Sequence, residues 1–249
     1  MKSLAAEERL DWLRTELLAA GSVELAAASE ALGVSEMTVR RDLRMLEEAG
    51  EARRVRGGAV APGPRTFQSR ELTRSAQKRQ IALKAAALVP PRGVIAVDSS
   101  STMHRLASRL GAAEQLRALA NALPIYEALA EHPGVTPILL GGTLDRRSGS
   151  FVGPVTERFL EEVHIDLYFM STAALDHTGC QEDTWEEASL KRRIAQAADR
   201  VVVGADSAKL GIRAEARSVP LADVDILITE LDPDAEEVAE LANVIPTVL

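Results

Sequence analysis

Residues 22–60 read SVELAAASEALGVSEMTVRRDLRMLEEAGEARRVRGGAV, and this stretch decides the fold of the first part of the chain. Two short helical patterns are separated by a turn at Leu32-Gly33-Val34. The second carries three arginines and is followed by a short basic run ending in Gly57-Gly58. Helix, turn, arginine-bearing helix and basic hairpin, in that order, are the parts of a winged helix-turn-helix that lies against DNA.

The second helix carries the detail. Ser35 is a good N-cap, because its hydroxyl can accept from an orphan amide of the first turn. Gly50 suits a left-handed residue after the helix end. Val39, Leu43 and Leu46 fall at i, i+4 and i+7 and share one apolar face. At about 100° per residue, Met37, Arg40, Arg41 and Arg44 then cluster opposite, with Thr38 on the flank. Guanidinium groups there can bond phosphate oxygens, or O6 and N7 of guanine. Asp42, Glu47 and Glu48 interleave with the arginines, so the helix alone also reads as a solvated face. Arg53, Arg54 and Arg56, on a strand-like run closed by Gly57-Gly58, add the hairpin that backbone contact requires. Leu10, Leu13, Leu17 and Leu18 predict a first helix that completes a three-helix core. The expected DNA contacts are Ser35, Met37, Thr38, Arg40, Arg41, Arg44, Arg54, Arg56 and Gly57.

This stretch resembles the N-terminal signature of the DeoR family of bacterial transcriptional regulators. The carrying residues are GVSEMTVRRDLRMLEEAGEARRVRGGAV, with a SExTVRRDL core and an RGGA wing. Arg56 stands where the family usually has histidine, which keeps the positive charge without titration near neutral pH.

Composition fits an intracellular globular regulator. The chain has 249 residues, 46% hydrophobic and 27% charged, enough for a small domain and one of ordinary size. No run approaches the roughly 20 apolar residues a membrane span needs, and Glu7, Glu8, Arg9 and Asp11 interrupt any signal-peptide core. A single cysteine, Cys180, permits no internal disulfide and points to a reducing cytoplasm. The net charge of −8 is the wrong sign for DNA, but local charge decides phosphate contact. Residues 40–56 hold six Arg against Asp42, Glu47, Glu48 and Glu51, and 65–79 hold four Arg and Lys78 against Glu71.

Two prolines and a glycine in APGPRTFQS (61–69) break regular structure. Arg70–Val89 then reads as a connecting helix. From Pro90 compact apolar runs alternate with helical segments. The runs are Val94–Val97, Pro137–Leu140, Leu167–Met170, Val201–Val203 and Ile226–Ile228. The helical segments are Met103–Leu110, Ile125–Glu131, Val155–Val163, Thr184–Ala198 and Asp234–Ala242. Strands separated by helices predict an α/β domain with a largely parallel sheet, whose ligands sit at the C-terminal strand ends.

Those ends carry polar groups. Asp98-Ser99-Ser100-Ser101-Thr102 leads straight into a helix, as a phosphate cradle or simple capping would. Gly141-Gly142 would admit a ligand close to the backbone. Arg147, in the loop after them, could pair with phosphate, and Lys209, after Asp206, could act as a point charge.

These segments extend the resemblance over nearly the whole chain. Asp98–Thr102 is similar to a DSGTT-like loop, with Ser100 where glycine is common. Asn121 in LANAL is similar to the asparagine of a TNS-like segment, with Ala120 in place of threonine. Gly141-Gly142 and Ser150–Pro154 match well. Glu187 and Lys191 resemble an E-A-x-x-K helix, and Asp206–Gly211 a D-S-S-K-F-G turn. The resemblance implies an α/β sensor domain, strands alternating with helices, preceded by a small winged helix-turn-helix domain. The boundaries are 1–60 for the DNA-binding domain, 61–89 for linker and connecting helix, and 90–249 for the effector domain. It further implies a homo-oligomer, dimer or tetramer, that represses carbohydrate or nucleoside catabolic genes and is controlled by a phosphorylated sugar. The partners expected are a double-stranded DNA operator and that sugar, with no membrane, cofactor or metal.

The second domain also resembles ribose-5-phosphate isomerase in fold, so the rival expectation is a sugar-phosphate isomerase-like enzyme with a DNA-binding head. Such an enzyme needs a positioned carboxylate to move a proton between adjacent carbons. Only Asp176 is acidic in Phe169–Asp176, with Glu182, Asp183, Glu186 and Glu187 nearby, so no catalytic residue is assigned. His104, His132, His164 and His177 show no metal-ligand spacing, and there is no P-loop, G-x-G-x-x-G or hydrolase elbow. With 3% aromatics the chain offers no stacking platform for single strands.

Overall fold

The computed structural model describes residues 6–20, 22–49, 51–60, 67–111, 113–146 and 148–249. Gly50, Arg147 and residues 61–66 of the expected linker lie outside the described residues, as does the side chain of Leu18. Contacts divide the chain into two compact units, Met1–Arg74 and Ser75–Leu249.

The first unit contains α1 (Ala6–Ala20), β1 (Ser22–Glu24), α2 (Leu25–Leu32), α3 (Glu36–Glu48), β2 (Arg53–Val55), β3 (Gly58–Val60) and α4 (Phe67–Leu72). Its core joins Leu13 and Leu17 of α1, Leu25, Ala28 and Leu32 of α2, and Val39, Leu43 and Leu46 of α3. Each large aliphatic side chain buried there contributes about 1.5–3 kcal/mol. Helix α2 stops at Gly33, whose φ of +65° is the left-handed conformation that glycine takes without a Cβ clash. The Ser35 hydroxyl then accepts the Thr38 amide at 3.3 Å and starts α3.

Strands β2 and β3 form the expected hairpin, and β1 adds antiparallel to β3. The sequence predicts helix from Glu24 onward and misses β1. Its three residues, of which only Val23 is buried, are too short a run for their alternation to be recognised. Gly58 admits this third strand: a Cβ at that position would lie 2.0 Å from the Val23 carbonyl oxygen.

The second unit begins with α5 (Ser75–Ala86), β4 (Arg92–Val97), α6 (Ser101–Ala107), β5 (Gln115–Ala120), α7 (Leu123–Ala130) and β6 (Val135–Leu139). Next come β7 (Thr143–Asp145), β8 (Ser150–Val152), α8 (Pro154–Leu160), β9 (Leu167–Ser171), β10 (Ala174–Asp176), β11 (Gly179–Glu182) and α9 (Trp185–Gln196). It ends with β12 (Val201–Gly204), β13 (Ala216–Pro220), β14 (Ile226–Ile228), α10 (Glu236–Ala242) and β15 (Thr247–Val248).

Seven strands form one sheet in the order β15-β14-β12-β9-β4-β5-β6, and every pairing in it is parallel. On one face Ala96, Leu119, Tyr168, Met170, Val203 and Leu227 pack with Leu160 of α8, Leu190 and Ile194 of α9, and Leu241 of α10. Gly204 faces the other way, where a Cβ would meet Met103 of α6 and Ile81 of α5. From β4 the chain moves through β5 to β6 in one direction; from β9 it moves through β12 and β14 to β15 in the other. The order therefore reverses between β4 and β9, the place where open parallel sheets bind ligands.

Three differences from the sequence expectation have physical causes. Strand β5 reads QLRALA, with no β-branched residue, so local propensity hides a strand that β4 and β6 stabilise from both sides. A second sheet, β10-β11-β13, is antiparallel, and its strands are too short to announce themselves. The single helix predicted over 70–89 is two helices, because Arg74 takes φ +51°, a left-handed value rare for a residue with a Cβ. The unit boundary falls at that break, so α4 belongs to the first unit and α5 to the second.

Candidate functional site

In the first unit α3 presents Met37, Arg40, Arg41 and Arg44 to solvent while Val39, Leu43 and Leu46 are buried. Met37 is 69% exposed, so an apolar side chain stands free near the start of an arginine-bearing helix. Such a group can meet a thymine methyl while arginines take guanine or phosphate. Thr38 is half-buried beside Ser35, its hydroxyl 3.0 Å from the Ser35 hydroxyl.

The acidic residues that interleave with these arginines are used elsewhere. Asp42 is 3% exposed and accepts from Arg9 Nε at 2.8 Å, tying α3 to α1. Glu47 accepts the Arg54 amide at 3.0 Å and its Nε at 2.6 Å. Burial would raise the Glu47 carboxyl, but these bonds hold it below its usual value. Arg54 is thus steadied by an anion, whereas Arg53 and Arg56 stand exposed along the hairpin. Gly57, at φ +90°, makes the two-residue turn, and its carbonyl accepts the Leu25 amide at 2.9 Å, anchoring the hairpin to α2.

In the second unit Asp98, Asn121, Gly141, Gly142, Asp206 and Lys209 follow the C-terminal ends of the parallel strands β4, β5, β6 and β12. Asp98 follows β4 and is 1% exposed. Its Oδ1 accepts the Ser100 amide at 3.0 Å and its Oδ2 the Ser171 amide at 2.9 Å. Lys191, on α9, lies 3.1 Å from the same oxygen. Its ammonium also donates to the Ser171 carbonyl and to Glu182 Oε2, both at 2.8 Å. Three acceptors match its three protons, so Lys191 positions the strand ends rather than offering a free donor. Desolvation opposes its charge, but Glu182, Asp98 and Glu187 together hold its pKa well above the usual value. Burial pushes Glu182 up to about 7, with Lys191 pulling back and Glu187 and Asp98 adding to the rise.

Around this group Glu187 caps inward from α9, accepting from the Ser99 hydroxyl at 3.5 Å. Lys209 donates to the Ser171 hydroxyl at 2.8 Å; burial lowers its pKa, with Asp206 opposing. Ser100 performs a capping role, its hydroxyl accepting the Met103 amide at 3.1 Å. Ser101 and Thr102 are buried in the first turn of α6.

Asn121 follows β5 and is 3% exposed, yet its Oδ1 has no hydrogen-bond partner. Gly141 and Gly142 follow β6. The Gly141 carbonyl accepts from the Thr156 hydroxyl at 2.6 Å, and a Cβ on Gly142, at φ +147°, would lie 2.2 Å from that hydroxyl oxygen. Arg147 lies outside the described residues.

Sequence reading did not single out Ser171, whose amide, carbonyl and hydroxyl all enter the cluster, or Tyr168. The Tyr168 ring is fully buried and its hydroxyl has no partner; burial and the nearby Asp98 charge hold its pKa well above the usual value. Asp176, the acid expected after β9, is bound instead by Thr178 and Arg213. His164, Asp166 and Asp199, which sequence spacing did not bring together, have ligand atoms within 4.8 Å of one another. They are exposed; His164 pairs with Asp199 at 3.0 Å, and Asp166 accepts the Val94 amide at 2.7 Å.

Residues 9–65 match the family model of the DeoR-like helix-turn-helix domain, and residues 73–231 that of the DeoR C terminal sensor domain. The chain belongs to the DeoR family. This DeoR-family regulator is 34% identical over 223 residues to the HTH-type transcriptional regulator GlpR of Haloferax volcanii, covering 87% of each chain. It is 31% identical over 232 residues to the glycerol-3-phosphate regulon repressor of Haemophilus influenzae, covering 92% of this chain and 87% of that one. Ribose 5 phosphate isomerase A from Neisseria gonorrhoeae, a solved structure, matches at 21% identity and a TM-score of 0.37 over 53% of this chain and 52% of that one. A likeness that low carries no argument about activity. Among the described residues of this DeoR-family chain, no helix is long and apolar enough to cross a membrane.

Proposed function

We propose that this regulator represses genes of carbohydrate or nucleoside catabolism and responds to a phosphorylated sugar held at the C-terminal end of its parallel sheet. The observation that carries the reading is the buried polar group at the β4–β9 reversal. Asp98, Ser171, Glu182 and Lys191 form it, Lys209 reaches in from the turn after β12, and the unpartnered Asn121 stands one strand away. Strand ends, an α6 first turn and a lysine converging at a reversal point suit a small ligand with one anionic end.

Asp98–Thr102, Asn121, Gly141, Gly142, Asp206 and Lys209 line the effector site in this reading, Glu187 and Lys191 hold its shape, and Arg147 is assigned to the effector from the sequence alone. Ser35, Met37, Thr38, Arg40, Arg41, Arg44, Arg56 and Gly57 face DNA, with Arg54 oriented by Glu47. The protein works in the cytoplasm as a homo-oligomer, dimer or tetramer, which sets two heads at the spacing of a repeated operator. The sugar binds the two states of the oligomer unequally, since equal binding would shift nothing.

Two variants test the division of labour. Arg41→Ala weakens operator binding and leaves sugar-phosphate binding intact. Lys209→Ala does the reverse, leaving a repressor that no longer responds. Loss of DNA binding with intact ligand affinity in Lys209→Ala would contradict the assignment.

A further inference from the structure

Asn121 and Tyr168 each carry a buried side-chain oxygen that the fold of the second unit leaves without a partner, and Asn121 is the one that follows a strand end. Its Oδ1 is buried and meets no donor, an exception to the rule that buried polar atoms are hydrogen-bonded. The main chain fixes the residue in place. Its carbonyl accepts the Phe151 amide at 2.7 Å, and the next residue, Ala122, is bridged to Ser150. The β7–β8 hairpin therefore holds Asn121 where it is.

Its position follows from register. Val97 and Ala120 are the last pair of the β4–β5 ladder, so Asp98 and Asn121 are the residues that follow directly at the ends of two strands whose axes run about 4.8 Å apart. Leu119 and Ala96 belong to the core on the α9 side of the sheet. Continued one step past the strand ends, the same alternation directs Asn121 toward the face where Asp98 meets Lys191.

An unpartnered acceptor beside a carboxylate selects what can sit there. A phosphate or carboxylate brings oxygens that are themselves acceptors, and it would also meet the Asp98 charge. An ammonium would add a further positive charge beside Lys191, which already lies 3.1 Å from Asp98 Oδ2, and Lys209, which donates to Ser171. A neutral hydroxyl donates to Oδ1 and carries no charge to compensate.

We infer that Asn121 accepts a hydrogen bond from a hydroxyl of the effector. The effector is then a hydroxylated carbon chain or ring oriented with its phosphate away from β5, and Asn121 discriminates it from deoxy analogues. This inference rests on the sugar-phosphate reading above and adds the orientation and the discriminating group.

The test uses the full-length protein and calorimetric titration with matched pairs: ribose 5-phosphate with 2-deoxyribose 5-phosphate, glucose 6-phosphate with its 2-deoxy form, and glycerol 3-phosphate with propyl phosphate. Asn121→Leu removes the acceptor and Asn121→Asp keeps an oxygen there while adding negative charge. For the best-bound hydroxylated probe, the leucine variant binds roughly 10- to 100-fold more weakly, and the aspartate variant stays within about tenfold of the parent protein. The ligand-free leucine variant melts no lower than the parent, because it loses an unpaired polar atom. Three results would overturn the inference: unchanged affinity in Asn121→Leu, abolished affinity in Asn121→Asp (contact with the phosphate), or a sharply lowered melting midpoint in Asn121→Leu. Failure of the parent protein to bind any probe would defeat the sugar-phosphate reading itself, and this inference with it.

Discussion

Asp98 Oδ2 accepts the Ser171 amide at 2.9 Å and lies 3.1 Å from Lys191 Nζ, so one carboxylate links the ends of β4 and β9 to the middle of α9. The chain closes the reversal point of its sheet with a charge cluster, and the loops after β4 and β12 are tethered to it through Ser100 and Lys209. Removing one partner of a buried ion pair leaves the others uncompensated. Lys191→Met leaves Asp98 and Glu182 facing each other, and urea unfolding followed by circular dichroism is expected to show about 3–5 kcal/mol of lost stability. A loss below about 1 kcal/mol would mean the cluster does not hold the second unit together.

Glu182 makes stability depend on pH. An unfolded glutamate titrates near 4.5, whereas burial raises the folded group to about 7. Between those values the folded state binds the extra proton, so stability falls as pH rises through the window, by up to about 1.4 kcal/mol per pH unit. Asp176 and Glu230 are shifted the other way, below their usual values, and act at lower pH. Urea midpoints measured from pH 5 to 8 should decline, and Glu182→Gln should flatten the curve. A midpoint rising with pH over that range contradicts the assignment.

The arginines of the first unit are not equivalent. Arg41 is exposed on α3, whereas Arg54 already bonds Glu47. If Arg41 contacts a phosphate, Arg41→Ala lowers the slope of log affinity against log salt by about one. Arg54→Ala should change it less. Equal reductions would show that the Glu47 pair opens when DNA binds.

Cys180 is 1% exposed, and burial together with the Glu182 charge raises its thiol to about 12. Reaction depends on the thiolate, so the native protein should resist iodoacetamide at pH 8 and react only under unfolding conditions. Rapid labelling of the native chain would place Cys180 outside the core.

Much of this was legible in the sequence. The α3 pattern exposes its own arginine face because Val39, Leu43 and Leu46 repeat at helical spacing, and the five apolar runs after Pro90 are all strands of the parallel sheet. What stayed hidden lacks local signal. Strand β5 is built from Gln, Leu, Arg and Ala and is a strand because its neighbours are. Ser171 enters the site through its backbone amide and carbonyl as well as its hydroxyl, and no side-chain pattern reports that. Glu187 and Lys191 came from resemblance, but their roles as inward-facing partners needed the fold. Asp42 and Glu47 read as neighbours of the exposed α3 arginines until three-dimensional pairing gave them Arg9 and Arg54.

The central claim is that a sugar phosphate held at the C-terminal end of the parallel sheet controls the grip of the first unit on DNA. Fluorescence anisotropy of labelled DNA from upstream of the coding region, at fixed moderate salt, tests it directly when run with and without a panel of sugar phosphates. The account predicts sequence-preferring binding in the nanomolar range that one hydroxylated sugar phosphate shifts by tenfold or more and that Lys209→Ala makes unresponsive. Tight operator binding that no sugar phosphate shifts would contradict it.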